Sequence, residues 1–474
     1  MVPTIPSAFY AIFFQFASVF TAPSFQNFVT IVTGWILCTG RHTITRVIQF
    51  GSGPASKKHF SSLYRFFSRA VWDVDALGKA LVKLLLPLIP GDIVYASVDD
   101  TLCRKSGPHL WGAGMHYDPL GSTYGRRTGS KDRSLFVFGH SWVILCLWVP
   151  LPWNTDRGLM LPVMFRLYRP KKRCPESKYR TRTALASELV SILVPCMPEG
   201  KTIMLLGDNE YSCQTVVKHL PEDVLFTGPM VMDAAFYDFP SPHTGRGRPC
   251  KKGRRLLTPR QLAADGKIRW QHRTLSIYGR QVNALIKTQT GLWYRVAGIR
   301  PTRMIVVRDP KGRIGDRAYF VTQPAFTPQQ IAAGFARRWP QEVMHRDTKQ
   351  FLGLEDPQNG WWRRPHGRRA RKKHPGPRPH RTRGSKAARR TVPIAFITYT
   401  LISIWYFQHG TAQQEVERVR KRAPWYRHKT EPSFVDMLNA ARTTLWQERF
   451  SANPVLNKVS SKFIDLLPCW LLAS

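Results

Sequence analysis

Eighteen consecutive residues without a charge, SLFVFGHSWVILCLWVPL (134–151), place the strongest constraint on the fold. The run is rich in β-branched and aromatic side chains, which suit a pleated surface. It reads as a hairpin edge or as one long strand. Four other segments also read as strands: DIVYASVDD (92–100), LMLPVMFRLY (159–168), KTIMLLGD (201–208) and DVLFTGPMV (223–231). Between them, TRTALASELVSILVPCM and CQTVVKHL carry helical spacing. Three strands, a helix, a strand, a helix and a strand predict a mixed α/β sheet.

The flanks differ from this centre. In HFSSLYRFFSRAVW, Phe60, Leu63, Phe66 and Phe67 share one helical face. Residues 1–88 therefore read as a helical N-terminal domain, followed by the first part of the sheet at 89–238. Short β-like segments at 239–324 read as a β-rich insertion. A helix within 325–360 then closes the core. Residues 363–390 carry no acid and recurrent Pro and Gly; a flexible basic loop is expected over 361–392. Helices are expected again over 393–474.

The first 40 residues lack a charged side chain, so a secretory signal has no basic n-region before Arg41. Pro23, Ser24, Gln26 and Asn27 interrupt the run, and a span needs about 20 apolar residues. IAFITYTLISIWYF (394–407) is shorter still. Both read as buried helices, and no membrane contact is expected. The eight cysteines form no C-x2–4-C pair, which argues against structural zinc and for reduced thiols in a cytoplasmic protein.

Lys and Arg number 71 against 30 Asp and Glu, a net charge of +41. Such an excess points to a nucleic-acid partner. Carboxylates are scarce, so their positions carry information. Asp99 and Asp100 end one predicted strand and Asp208 ends another. Glu342 stands in FARRWPQEVMHRDTKQFLG (335–353) on a predicted helix that begins near Trp339, with Pro340 in its first turn. Arg338, Glu342, Arg346 and Lys349 fall on one side of that helix. Ligands of open α/β sheets gather at the carboxyl ends of strands, and converging carboxylates suit Mg²⁺. Two plainer readings stand beside this one. Strand-end aspartates are common in turns, and Glu342 can serve surface ion pairs with Arg338 and Arg346.

The pattern Phe335-x2-Arg338-x3-Glu342-x6-Lys349 resembles the Y-R-E-K signature of DDE transposases encoded by cut-and-paste bacterial insertion sequences. SVDDT resembles the first-aspartate motif of that family, and LLGDNEYS the second. The resemblance implies a ribonuclease-H-like core that cuts and joins DNA with two Mg²⁺ ions, with Mn²⁺ as the alternative metal. It implies Asp100 as the first metal-holding acid, with Asp99 its close rival, and Asp208 and Glu342 as the others. Arg338 and Lys349 would contact DNA near the scissile phosphate, and Arg346 shares their side of the helix. Phe335 departs from the signature, where tyrosine is usual. Double-stranded DNA is the implied partner, as terminal inverted repeats and target, bound by a homodimer at the bacterial nucleoid.

GRGRPCKKGRR (245–255) offers Arg246, Arg248, Lys251 and Lys252 to DNA. It reads as a basic loop on phosphates or as an AT-hook-like core for the minor groove. His109, His116 and His140 receive no role. Neither a G-x-S-x-G turn nor a P-loop is present. A DNA-binding protein without catalysis and a nuclease that only hydrolyses are the competing readings.

Overall fold

The computed structural model describes residues 5–52, 58–106, 110–118, 136–242, 248–277, 280–357 and 382–451. The uncharged run forms one 16-residue strand, β3 (Phe136–Leu151), buried from Gly139 onward. It lies inside the sheet. β1 (Ile93–Arg104) pairs antiparallel on one side, and β2 (Gly114–Tyr117) and β4 (Asn154–Tyr168) pair antiparallel on the other. An interior strand covered on both faces has no use for a polar side, which accounts for the missing charges.

Beyond β1 the sheet turns parallel, with β5 (Thr202–Leu206) and then β6 (Val224–Met230). The order β4-β3-β1-β5-β6 is that of a ribonuclease-H-like sheet. Four more strands continue it antiparallel from β6: β12 (Arg317–Val321), β11 (Thr302–Arg308), β10 (Arg280–Gly291) and β9 (Gln271–Ile277). The segment read as an insertion thus extends the main sheet, with β7 (Phe236–Tyr237) and β8 (Arg255–Leu256) as a separate small pair. β1 also departs from expectation. It does not end at Asp100 but runs on to Arg104, because the long β3 keeps pairing with it as far as Arg104↔Gly139.

Five helices precede the sheet: α1 (Ser7–Phe14), α2 (Ala22–Leu37), α3 (Ile44–Gly51), α4 (Phe60–Ser68) and α5 (Val74–Leu85). α6 (Arg182–Leu193) links β4 to β5. α7 (Pro328–Ala336) and α8 (Trp339–Phe351) follow β12, and α9 (Thr382–His409), α10 (Ala412–Arg422) and α11 (Phe434–Ser451) close the described chain. α9 is long and apolar enough to cross a membrane, yet most of it is buried in the protein. It packs against β4, α4, α11 and α2. Its first turns occupy residues read as loop; residues 361–381 of that loop lie outside the described residues.

The N-terminal helices do not stand apart from the rest. Three arginines from the C-terminal helices, Arg390 and Arg442 buried and Arg449 half-buried, donate to carbonyls at their C-terminal ends, where backbone acceptors lack helical partners. Arg442 reaches Ile36 O and Cys38 O at 2.7 Å each. Arg449 reaches Phe50 O at 2.6 Å and Gly51 O at 3.0 Å. Arg390 donates to Ala70 O at 2.8 Å and to Trp72 O.

α2 and α3 cross at backbone contact through Gly34 and Gly51. A Cβ on Gly34 would lie 2.0 Å from Val47 O and 2.8 Å from Gly51 N. Both obstacles are backbone and cannot rotate away. Gly34→Ala should therefore cost about 2–3 kcal/mol by overpacking, read as a lower midpoint in chemical denaturation.

Candidate active site

β1 carries its two aspartates on opposite faces, because side chains alternate along a strand. The parallel register pairs Ser97 with Leu206. Carried on by two residues, it sets Asp99 level with Asp208, which stands just past the end of β5. Asp99 faces α8, and Asp100 faces α6.

On the Asp99 face, the chain breaks between α7 and α8 at Arg337 and Arg338, with Pro340 in the first turn of α8. The Arg337 guanidinium lies over the rings of Tyr95 (4.1 Å) and Trp148 (4.5 Å). Arg338 Nη1 then meets Asp99 Oδ2 at 3.1 Å, and its Nη2 meets Glu342 Oε1 at 2.5 Å. The far end of α8 is tied to the same strand. The buried Lys105 Nζ donates to Glu355 O and Pro357 O at 2.9 Å each, and Arg104 N donates to Glu355 Oε1 at 2.9 Å. In the first turn of α8, Gln341 Nε2 donates to Ile144 O of the neighbouring β3 at 3.2 Å. α8 therefore lies fixed along β1.

Burial pushes the Asp99 carboxyl up to about 7; Arg338 works against that shift, and the neighbouring Asp208 and Asp100 charges add to it. Burial works against the charge on Arg338, yet Asp99, Glu342 and Asp208 together hold its pKa above the usual value. Three carboxylates thus act on one guanidinium.

Asp100 has different company. Its Oδ2 accepts from Ser141 Oγ at 3.2 Å and pairs with Arg182 Nε at 3.2 Å. Its Oδ1 accepts from Tyr211 OH at 3.4 Å. Tyr211 N in turn donates to Asp208 Oδ1 at 3.2 Å, beside Glu210 N at 2.8 Å. Asp100 therefore braces the loop that carries Asp208. Burial raises the Asp100 carboxyl, and Arg182 offsets part of that rise. Arg182, Ser141, Tyr211, Arg337 and Lys105 escaped the sequence reading. Tyr211 stands inside the LLGDNEYS motif without being singled out there, and no motif marks the others.

The remaining expected contacts are spread out. Lys349 is half-buried on α8 near Cys103, further along the Asp99 face of β1. Arg346 does not pair with Glu342; it is exposed and bonds Asp347 Oδ1 at 2.8 Å. Phe335 packs on Tyr319 (4.8 Å between ring centroids), with the Arg338 guanidinium 5.9 Å from its ring. Arg248 and Lys251 are exposed, and Lys252 lies 3.8 Å over the Tyr237 ring, some distance along the chain from the carboxylates. Arg246 lies outside the described residues.

Among the described residues, no three His, Cys, Asp or Glu side chains are drawn tightly enough to form a ready metal cage. The donor chemistry nonetheless fits a hard divalent cation. Asp99 and Glu342 already turn oxygens towards a shared positive charge, and Asp208 stands close enough to feel it. The cation between them is Arg338.

A ribonuclease-H-like sheet with carboxylates at this point defines a nuclease of the phosphoryl-transfer class. The family described as DDE superfamily endonuclease matches residues 15–282, more than half of the 474. The chain belongs to that family. The matched segment contains Asp99, Asp100 and Asp208 and ends before Glu342. No curated protein matches the chain. Endonucleases of this family typically use divalent metals, and their substrate is DNA.

The raised Asp99 carboxyl has a consequence for stability. Its folded value, about 7, exceeds the unfolded value of 3.8. The folded state favours the protonated form, so this contribution to stability is full below pH 4 and is lost as pH rises through 7. Melting temperatures of Asp99→Asn and wild type in chelator should diverge between pH 5 and pH 8, the variant gaining about 2–5 °C relative to wild type.

Proposed function

We propose that the chain is a DNA transposase of the Y-R-E-K group, cutting and joining DNA at the ends of an insertion sequence, with Asp99, Asp208 and Glu342 as its acids. The observation that carries this reading is that Asp99 and Glu342 both pair with one guanidinium, Arg338, with Asp208 set level with Asp99 by the parallel register of β1 and β5. Asp100, the sequence-based choice, is engaged by Arg182 on the opposite face. The reading therefore takes Asp99 as the first acid and Asp100 as a positioning residue.

Asp99, Asp208 and Glu342 would hold Mg²⁺, two ions by analogy with the resembling family and replaceable by Mn²⁺. Bound there, the metal would supply Lewis-acid stabilisation of the attacking and leaving oxygens. Arg338, released from its carboxylates, has donors to offer a phosphate oxygen. Lys349, further along the same face, would hold a neighbouring phosphate. Phe335 has no hydroxyl to give; it buttresses Arg338 through ring contact instead. Asp100 acts at a distance, keeping the Asp208 loop fixed through Tyr211. Water attacks a phosphodiester and leaves a 3′-hydroxyl. That hydroxyl then attacks a second phosphodiester, joining one strand and expelling another 3′-hydroxyl. The terminal inverted repeats and target DNA would be synapsed by a homodimer, in the cytoplasm at the nucleoid.

Asp99→Ala, Asp208→Ala and Glu342→Ala should each lower cleavage of end-containing DNA by about a thousandfold or more, with DNA binding nearly intact. Asp100→Asn should keep cleavage within about tenfold of wild type. Gel assays of nicked and joined products measure both. Full cleavage by the Asp208 or Glu342 variant would sink the assignment. Loss with Asp100→Asn but not with Asp99→Asn would return the first acid to Asp100. Cleavage without joined products would favour a nuclease that only hydrolyses.

A further inference from the structure

We propose that residues 420–429 form a stacking platform for unpaired DNA, separate from the carboxylates; the proposal rests on the reading of the chain as a DNA enzyme. The segment RKRAPWYRHK joins α10 to α11 and holds Trp425 and Tyr426 out to solvent, 74% and 55% exposed. Their ring centroids lie 6.3 Å apart, tilted by 46°. Neither ring is covered by another part of the fold, and adjacent exposed aromatics of this size usually mark an interaction site.

The loop is built rather than loose. Arg420 donates to Lys429 O through Nε (2.9 Å) and Nη2 (2.6 Å), closing it at its base. Lys429 Nζ pairs with Asp436 Oδ2 at 2.5 Å, which fastens the base to α11. Two backbone turns, Tyr426 N to Ala423 O (2.9 Å) and Lys429 N to Tyr426 O (3.1 Å), shape the interior. Glu431 then accepts from Asn154 Nδ2 at 2.6 Å and pairs with Arg157, tying the exit to the turn between β3 and β4. The rings are thus presented on a braced support, and ordering them on binding costs little.

Between Glu417 and Glu431 the charge is of one sign. Residues 418–430 contain six Lys or Arg and no acid. Arg418, Arg420 and Lys429 are engaged within the protein. Lys421, Arg422 and Arg427 are exposed, and Lys421 and Arg427 form no ion pair among the described residues. Cations that track a backbone beside exposed rings are the two components of single-strand recognition: the cations hold phosphates and the rings stack on bases. A paired duplex hides its base faces and would use only the cations.

The loop is anchored away from the carboxylates. Asp99 pairs with Ile144 of β3, and the β3–β4 turn follows Leu151, seven residues further along. At about 3.3 Å per residue that turn, to which the loop is anchored, lies on the order of 20–25 Å from Asp99. That is a few nucleotides of strand, and too far for a change at Trp425 to disturb Asp99.

The test is anisotropy of a labelled single strand of about 20 nucleotides and its matched duplex, with the full chain in chelator so that nothing is cut. Trp425→Ala/Tyr426→Ala should weaken single-strand binding about tenfold or more and duplex binding less than about threefold. Arg427→Gln should flatten the slope of log affinity against log salt by about 0.7 on the single strand. Equal losses on both DNA forms, or no loss on the single strand, would overturn the platform. So would a wild type that is a dimer in sedimentation and a double variant that is a monomer, which assigns the rings to a second copy. A wild type that binds neither DNA form strikes at the DNA-enzyme reading itself. A wild type that cuts DNA, with a double variant that binds single strands equally well, strikes at the platform alone.

Discussion

The site depends on the two-residue period of β1. The strand is covered by helices on both faces, so each residue is committed to one side. Tyr95 and Asp99 face the α7–α8 side, and each meets a cation there: Arg337 and Arg338. Asp100 meets Arg182 on the other side. Adjacent aspartates in one strand therefore serve different elements. Shifting the register of β1 by one residue would exchange their roles and also turn the buried Val94, Ala96 and Val98 out of their packing.

α8 can serve this strand because it is fixed at both ends. Arg338 anchors its head to Asp99, and Lys105 binds the turn beyond its tail. Lys105 is a buried cation satisfied by carbonyls, which is costly to assemble and costly to break. The N-terminal helices add a second hold on the same tail. Trp35 Nε1 donates to Leu352 O at 2.9 Å, and His42 N donates to Asp356 Oδ2 at 2.7 Å. The helical layer at the start of the chain thus helps position Glu342, more than 300 residues later.

Much of this was legible in the sequence. The uncharged run marked β3, the strand–helix alternation marked the mixed sheet, and Pro340 marked the start of α8. Asp208 could be read because β5 is short and apolar and stops just before it. The choice between Asp99 and Asp100 was not legible. Both precede the same threonine, and strand parity has meaning only once the face that receives α8 is known. The span 239–324 was legible as β-rich, but its strands pair with β6 through long-range contacts that local pattern does not carry. Likewise, composition marked the basic segment before α9 as loop. Yet Ser385 and Ala387 are buried there, and the aliphatic burial that follows extends the helix back to Thr382.

The net charge also reads differently once the arginines are sorted by what they touch. Arg390, Arg442 and Arg449 lie against backbone carbonyls and hold the two ends of the chain together. Arg300 does the same for Leu220, Pro221 and Val224, and Arg166 is engaged by Asp75 and Glu188. The donors of these cations are engaged inside the protein and are not offered to a phosphate. A guanidinium can satisfy several carbonyls at once through a planar fork of donors. The chain's arginine content thus answers two demands, and only the exposed share bears on a nucleic-acid partner. Arg338 alone stands between the two groups: it is largely buried, it is paired with Asp99 and Glu342, and its partners are the carboxylates through which the enzyme would work. Its position makes the resting site an ion-paired structure, so that loading the site and freeing a donor for phosphate would be one event.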